Sequence, residues 1–134
     1  MAMNECMYSD YGYRPFEISH RYGENIHIVA DPVSLTRLAV LGRPQCSQPI
    51  VNYLIADLYR QLLVAAAASF PHKRVSEETR MSDTSGRRWE GDVIDSAVPV
   101  VCVGIARAGT WPAQICFDAM CQLLGPTSVR LDNL

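Results

Sequence analysis

The residues best placed to do chemistry are Ala106-Arg107-Ala108-Gly109-Thr110. They follow a nearly continuous, valine-rich apolar run at 98–105 and precede Trp111-Pro112. The run reads as a strand covered on both faces of a sheet, and Trp111-Pro112 as the start of a helix reaching Leu124. The intervening residues then form a strand-to-helix turn at the carboxyl end of the strand, where open α/β sheets hold their ligands. Small residues on either side of Arg107 let backbone N–H groups come close to a bound group, and the helix start adds the positive end of its dipole. An anion is what such a turn would hold, and Arg107 could add a bidentate guanidinium contact to phosphate or pyrophosphate oxygens. From spacing alone, an arginine in a strand-to-helix turn is more often a solvated or salt-bridged residue. Neither GxGxxG nor GxxxxGK(S/T) occurs, so a dinucleotide fingerprint and a Walker loop are both excluded.

Other reactive residues carry weaker patterns. Cys6, Cys46, Cys102, Cys116 and Cys121 have no CxxC spacing and no nearby histidine to complete a zinc site, so they read as structural thiols. Cys116 and Cys121 cannot share one narrow helix face, and Cys116 has no neighbouring base to make it a nucleophile. Lys73, Arg74, Arg80, Arg87 and Arg88 concentrate positive charge in 72–95, but Glu77, Glu78, Asp83, Glu90, Asp92 and Asp95 balance it. A solvated loop or hairpin is expected there.

The elements that must position the turn follow from composition and periodicity. With 134 residues, 49% apolar, 19% charged and a mean hydropathy of +0.01, the chain is of globular type and long enough to bury its own core. A formal charge of -2 leaves no broad basic surface, so nucleic acid is not an expected partner. Residues 1–10 hold no basic residue and no apolar run, and the apolar stretch 62–68 is too short for a bilayer about 30 Å thick. A cytoplasmic protein without membrane contact is expected.

Residues 1–24 form a polar, aromatic arm carrying Tyr8, Tyr11, Tyr13 and Tyr22. Residues 25–30 alternate polar and apolar side chains and read as a short strand. Asp31-Pro32 has the pattern of an N-cap followed by proline, opening a helix with Val33, Leu35, Leu38, Val40 and Leu41 that Gly42 and Pro44 stop. Ser47-Gln48-Pro49 repeats this logic and opens a longer helix, 49–69, whose apolar positions Val51, Leu54, Ile55, Leu58, Leu62 and Val64 or Ala65 keep helical spacing. Asp57, Arg60 and Gln61 lie off that stripe, and Phe70-Pro71 ends the helix. After Gly125-Pro126, residues 127–131 read as the next strand. The class is therefore α/β: a helical N-terminal portion, then a strand-turn-helix-strand unit.

The stretch Val100-Val101-Cys102-Val103-Gly104-Ile105-Ala106-Arg107-Ala108-Gly109 resembles the strand and RAG turn of uracil phosphoribosyltransferases, which have the type I phosphoribosyltransferase fold. Asn25-Ile26-His27, Asp31-Pro32, Gln48-Pro49-Ile50-Val51-Asn52, Leu58-Tyr59, Thr79-Arg80-Met81 and Val129-Arg130 are similar to that family in order and spacing. The resemblance covers 25–134, which makes this a partial phosphoribosyltransferase-like domain behind the arm. It implies binding of phosphoribosyl pyrophosphate, with the pyrophosphate held by Arg107 and the backbone of Ala106, Ala108 and Gly109, and with Arg80 as a second basic contact. It also implies Mg²⁺ carried by the substrate pyrophosphate, and transfer of the ribosyl phosphate to a pyrimidine nitrogen.

The family also needs an acidic strand end before an ATGGS-like turn for the 5′-phosphate, and a C-terminal uracil-recognition segment. Asp83-Thr84-Ser85-Gly86 has only a superficial likeness to the first, because it follows a polar segment and not a buried strand. The expectation is the front half of a site, completed by a partner or by a second half, in a homo- or hetero-oligomer. A non-catalytic phosphate-binding or protein-interaction relative is the alternative, and a small α/β domain with a structural Arg107 is the third reading. A half-built sheet would leave an open edge and a half-covered apolar face at 98–105.

Overall fold

Asp31 fixes where the first helix begins. In the computed structural model, which describes residues 16–81 and 86–134, its Oδ1 accepts hydrogen bonds from the N–H groups of Val33 and Ser34, both at 3.0 Å. Helix α1 (Pro32–Leu41) starts there with proline in its first turn, and Gly42 closes it by donating its N–H to the Leu38 carbonyl. Hydrogen bonds from the Ser34 side chain, then from the N–H groups of Ser34 and Val33, hold the Asp31 carboxyl below its ordinary value of 3.8. Such a group contributes stability that is present above 3.8 and is lost as the pH falls through the lowered folded-state value. Asp95 is depressed in the same way, first by the Ala97 N–H and then by Lys73. Asp31→Asn should therefore keep the cap and flatten part, not all, of the acid limb of a melting-temperature-against-pH curve. An unchanged limb would contradict the assignment.

Helix α2 (Ile50–Ala67) begins differently from the expectation. Pro49 itself occupies the cap position and no side chain caps the helix. Ser47 stands too far upstream for its hydroxyl to serve, and only its carbonyl contributes, accepting from the Val51 N–H at 3.2 Å. Helix α1 lies against α2, tied by the hydrogen bond between the Ser34 hydroxyl and the Gln61 side chain. Residues 25–30 do not form a full strand: a single antiparallel bridge joins Val29 to Glu17, flanked by bonds from Ile18 to Ile28 and from Ala30 to Phe16. A strand needs a partner of matching length, which the pattern of 25–30 alone could not reveal. The rest of the arm, 1–15, lies outside the described residues.

The charged segment is an antiparallel hairpin of β1 (His72–Glu78) and β2 (Arg88–Ile94). Arg74 faces Asp92 and Glu78 faces Arg88 directly across it, with ion pairs of 3.7 and 3.0 Å. Lys73 pairs with Asp95 at 3.0 Å. These exposed pairs add little stability each, but they neutralise the hairpin's cations locally.

Strand β3 (Val100–Gly104), helix α3 (Thr110–Leu124) and β4 (Val129–Asn133) form the expected unit, with β3 and β4 parallel and Val100 paired to Val129. Gly125 ends α3 at φ 92°, a conformation that L side chains rarely adopt. The core lies on one face of this pair: Cys102, Met120, Leu124 and Val129 are buried with Ala67 of α2, and Leu63, Phe70 and Ile94 pack around them. The chain is thus α/β, with three helices and two two-stranded sheets among the described residues.

Coverage of β3 on both faces is not observed. Val101, Val103 and Ile105 are 49%, 48% and 69% exposed, while Cys102 and Gly104 on the opposite face are buried against α3. The valine run encodes a strand but not its cover, because the described residues supply a layer on one side only. Among the described residues, twenty large apolar side chains are exposed against eight buried apolar ones, so much apolar surface remains to be covered.

Helix α2 is long and apolar enough to cross a membrane by length and composition, a possibility the stretch 62–68 did not reveal. Asp57 and Arg60 sit near its middle, where a bilayer would charge about 2.5–3.5 kcal/mol for each. Its buried residues, Ala56 and Ala67, are those of a helix packed on one side.

Candidate anion-binding turn

Arg107 lies in the turn between β3 and α3, as the sequence reading expects, and it is exposed. Its guanidinium makes no ion pair or hydrogen bond among the described residues. The turn thus contains no salt-bridged arginine, and an exposed guanidinium without a partner is what the solvated arginine of the structural alternative also shows. The contrast with Lys73, Arg74 and Arg88 is direct, since each of those has an acidic partner within the hairpin.

The backbone divides the turn's donors into two groups. The N–H of Ala106 donates to the Leu134 carbonyl at 3.0 Å, and that of Gly109 donates to the Ile105 carbonyl at 2.8 Å. The N–H groups of Arg107 and Ala108 have no acceptor among the described residues. An anion meeting this conformation would find two adjacent free N–H groups and a free guanidinium, with the uncapped start of α3 behind them. Ala106 and Gly109 shape the turn, and Arg107 and Ala108 present its donors. The Ala106–Arg107 peptide is cis.

Sequence reasoning could not separate these two groups. The acceptors are supplied by Ile105 and Leu134, and the second arrives only through the parallel pairing of β3 with β4, which also bonds the Leu134 N–H to the Gly104 carbonyl at 2.9 Å.

Close approach explains the glycines here. A Cβ on Gly109 would stand 2.6 Å from both the nitrogen and the oxygen of Ile105, and one on Gly104 would stand 3.1 Å from the Cβ of Ala113. The Ile105 contacts are backbone atoms, so no rotamer change relieves them. Gly109→Ala should open the turn, abolish anion binding and lower stability by about 2 kcal/mol, read by titration and by urea melting. A variant that binds and melts like the wild type would contradict this geometry.

Arg80 is exposed beyond the end of β1, in a different sheet from the turn. Of the Asp83-Thr84-Ser85-Gly86 likeness, all but Gly86 lies outside the described residues. Among the described residues, no group of three or more His, Cys, Asp or Glu side chains is placed to hold a metal ion.

Two of the thiols are shifted against ionisation by burial. Burial raises the pKa of Cys102 first, and the neighbouring Cys116 and Cys121 raise it further. Burial also raises Cys116, which disfavours the thiolate that a nucleophile needs. Cys116 and Cys121 both pack against the buried core.

One feature was not found from the sequence. A groove of about 480 Å³ runs between the first half of α2 and Trp111, lined by Tyr53, Asp57 and Arg60 among others. The signal available was the placing of Asp57 and Arg60 off the apolar stripe. No family model matches this chain, and no curated protein matches it.

Proposed function

We propose that the chain is a uracil phosphoribosyltransferase-like protein that binds phosphoribosyl pyrophosphate through the turn at Arg107. The observation that carries this reading is the free guanidinium of Arg107 beside the free N–H groups of Arg107 and Ala108, at the carboxyl end of a parallel strand. A pyrophosphate offers oxygens to all three donors, and charge-assisted hydrogen bonds of this kind are the strong ones. Arg80 is the second cation of the reading, and Mg²⁺ accompanies the substrate.

In this account the type I phosphoribosyltransferase fold is represented by the β3–α3–β4 unit and the helices before it. The reaction would transfer the ribosyl phosphate to a pyrimidine nitrogen as pyrophosphate leaves. This chain's part is to position the pyrophosphate and to neutralise the charge developing on it. The location proposed is cytoplasmic, in keeping with the four free cysteines among the described residues.

A non-catalytic, phosphate-binding relative is the second reading, favoured by the uncovered outer face of β3. Titration calorimetry with phosphoribosyl pyrophosphate and Mg²⁺, followed by a pyrophosphate-release assay with uracil, separates the two. Binding with release supports the enzyme, and binding without release supports the relative or a partner-dependent site. Absence of binding overturns both.

A further inference from the structure

We infer that the chain binds a small, uncharged, mainly hydrocarbon molecule with one hydrogen-bond acceptor in the cavity between α1 and α2. Helix α1 packs mainly against α2 and contributes nothing to the core around Met120. Between the two helices Leu38, Leu41, Ile55, Leu58 and Leu62 meet around a space of about 250 Å³ that they do not fill. Protein interiors ordinarily pack without voids of this size. The volume lies just below the roughly 300–1,000 Å³ of drug-sized ligand sites, so it suits a small molecule and not a segment of protein.

The lining sets the chemistry of the ligand. No Asp, Glu, Lys, Arg or His among the described residues lines this cavity. The nearby pair of Glu17 and His27, 3.1 Å apart, lines a neighbouring cavity that shares Val29 and Leu62 with this one. A charge placed among these leucines would be desolvated without a partner, so the ligand is uncharged. One part of the wall is polar and firmly held. Ser34, 7% exposed, donates its hydroxyl to the Gln61 side-chain oxygen, and its own N–H is fixed by the Asp31 carboxylate. With that oxygen engaged, the Gln61 Nε2 has no partner among the described residues, and its N–H groups call for an acceptor such as a ligand carbonyl. A ligand with several polar groups would leave all but one unpaired against the aliphatic wall. Leu38, Tyr59 and Leu62 are 50%, 38% and 50% exposed and form the mouth, so entry does not require α1 to leave α2.

The test is a titration of the full chain with acetophenone, ethylbenzene and benzoate, followed through the methyl proton–carbon correlation spectrum. Acetophenone and ethylbenzene should give saturable shifts, largest at the methyl groups of Leu41, Ile55 and Leu58, and benzoate should give none there. Uracil, whose polar groups outnumber the partners in the cavity, should leave these methyl groups unmoved. Gln61→Leu removes the amide and keeps an apolar side chain, so it should retain ethylbenzene and weaken acetophenone relative to it by about five-fold, the worth of one ordinary hydrogen bond. Gln61→Glu keeps an acceptor for Ser34 and removes the donors, and should weaken acetophenone in the same sense. Leu38→Trp, at the half-exposed mouth, should block both neutral probes. The inference is overturned if neither neutral probe gives saturable shifts, if benzoate or uracil binds as tightly as acetophenone, or if the preference between the neutral probes is unchanged in both Gln61 variants. Nuclear Overhauser contacts in the free chain from the rings of Tyr8, Tyr11 or Tyr13 to these methyl groups would also overturn it, by placing the chain's own arm in the cavity. So would methyl shifts that grow with protein concentration alone, which would place a second copy there. No probe carries phosphate and no residue of the Arg107 turn lines the cavity, so failure here is distinguishable from failure of the proposed function.

Discussion

Arg107→Ala is expected to weaken binding of phosphoribosyl pyrophosphate by about 100-fold while leaving the melting temperature unchanged. A hydrogen bond to a charged group is worth about 1.5–3 kcal/mol, so losing a bidentate pair removes about 3 kcal/mol, which is about two decades in affinity. Stability should not change, because the Arg107 side chain is exposed and has no partner among the described residues. Arg107→Lys keeps the charge but loses the planar fork, and should fall between the two. Calorimetry and thermal melting on the same samples check both halves. A variant that binds like the wild type would remove Arg107 from the site, and one that melts much lower would show that the arginine is structural after all.

The second large effect belongs to the core. Met120 is 2% exposed and is the largest fully buried side chain among the described residues. It sits where α3 meets Cys102, Val129 and the end of α2. Met120→Ala should cost about 2–5 kcal/mol through lost contacts and the cavity left behind, a large share of the roughly 5–15 kcal/mol that holds a typical domain together. Met120→Leu, which nearly conserves volume, should cost less than about 1.5 kcal/mol. Urea melts of the two variants decide it. Because α3 carries both Met120 and the start that backs the turn, Met120→Ala should also blunt anion binding, and a loss of stability below about 1 kcal/mol would show that the core lies elsewhere.

Both effects depend on features that were unevenly legible in the sequence. Helix α1 could be read at residue level, because Asp31 and Pro32 act locally: a carboxylate two residues before an N–H group bonds to it whatever the rest of the chain does. The start of α2 was misread, since the same pattern at Ser47-Gln48-Pro49 placed proline in the cap position itself. Strand β3 and its turn were legible from the valine run and the small residues around Arg107. The one-sided cover of that strand was not, because burial depends on layers packed above and below it. Likewise, the sequence singled out Arg107 by its guanidinium but left the backbone groups of Ala106, Ala108 and Gly109 undistinguished, and only the carbonyls of Ile105 and Leu134 separate the donors already engaged from those left free. Local chemistry was readable, and occupancy set by distant residues was not.

The N–H groups of Arg107 and Ala108, with the Arg107 guanidinium, are the proposed receptors of a pyrophosphate. The most direct measurement is the set of backbone amide chemical shifts during titration with inorganic pyrophosphate and Mg²⁺. The account predicts saturable shifts that are largest at Arg107 and Ala108, with smaller ones at Ala106 and Gly109, whose N–H groups already bond to Leu134 and Ile105. Shifts confined to the hairpin of β1 and β2, or none in the turn at saturating pyrophosphate, would contradict it.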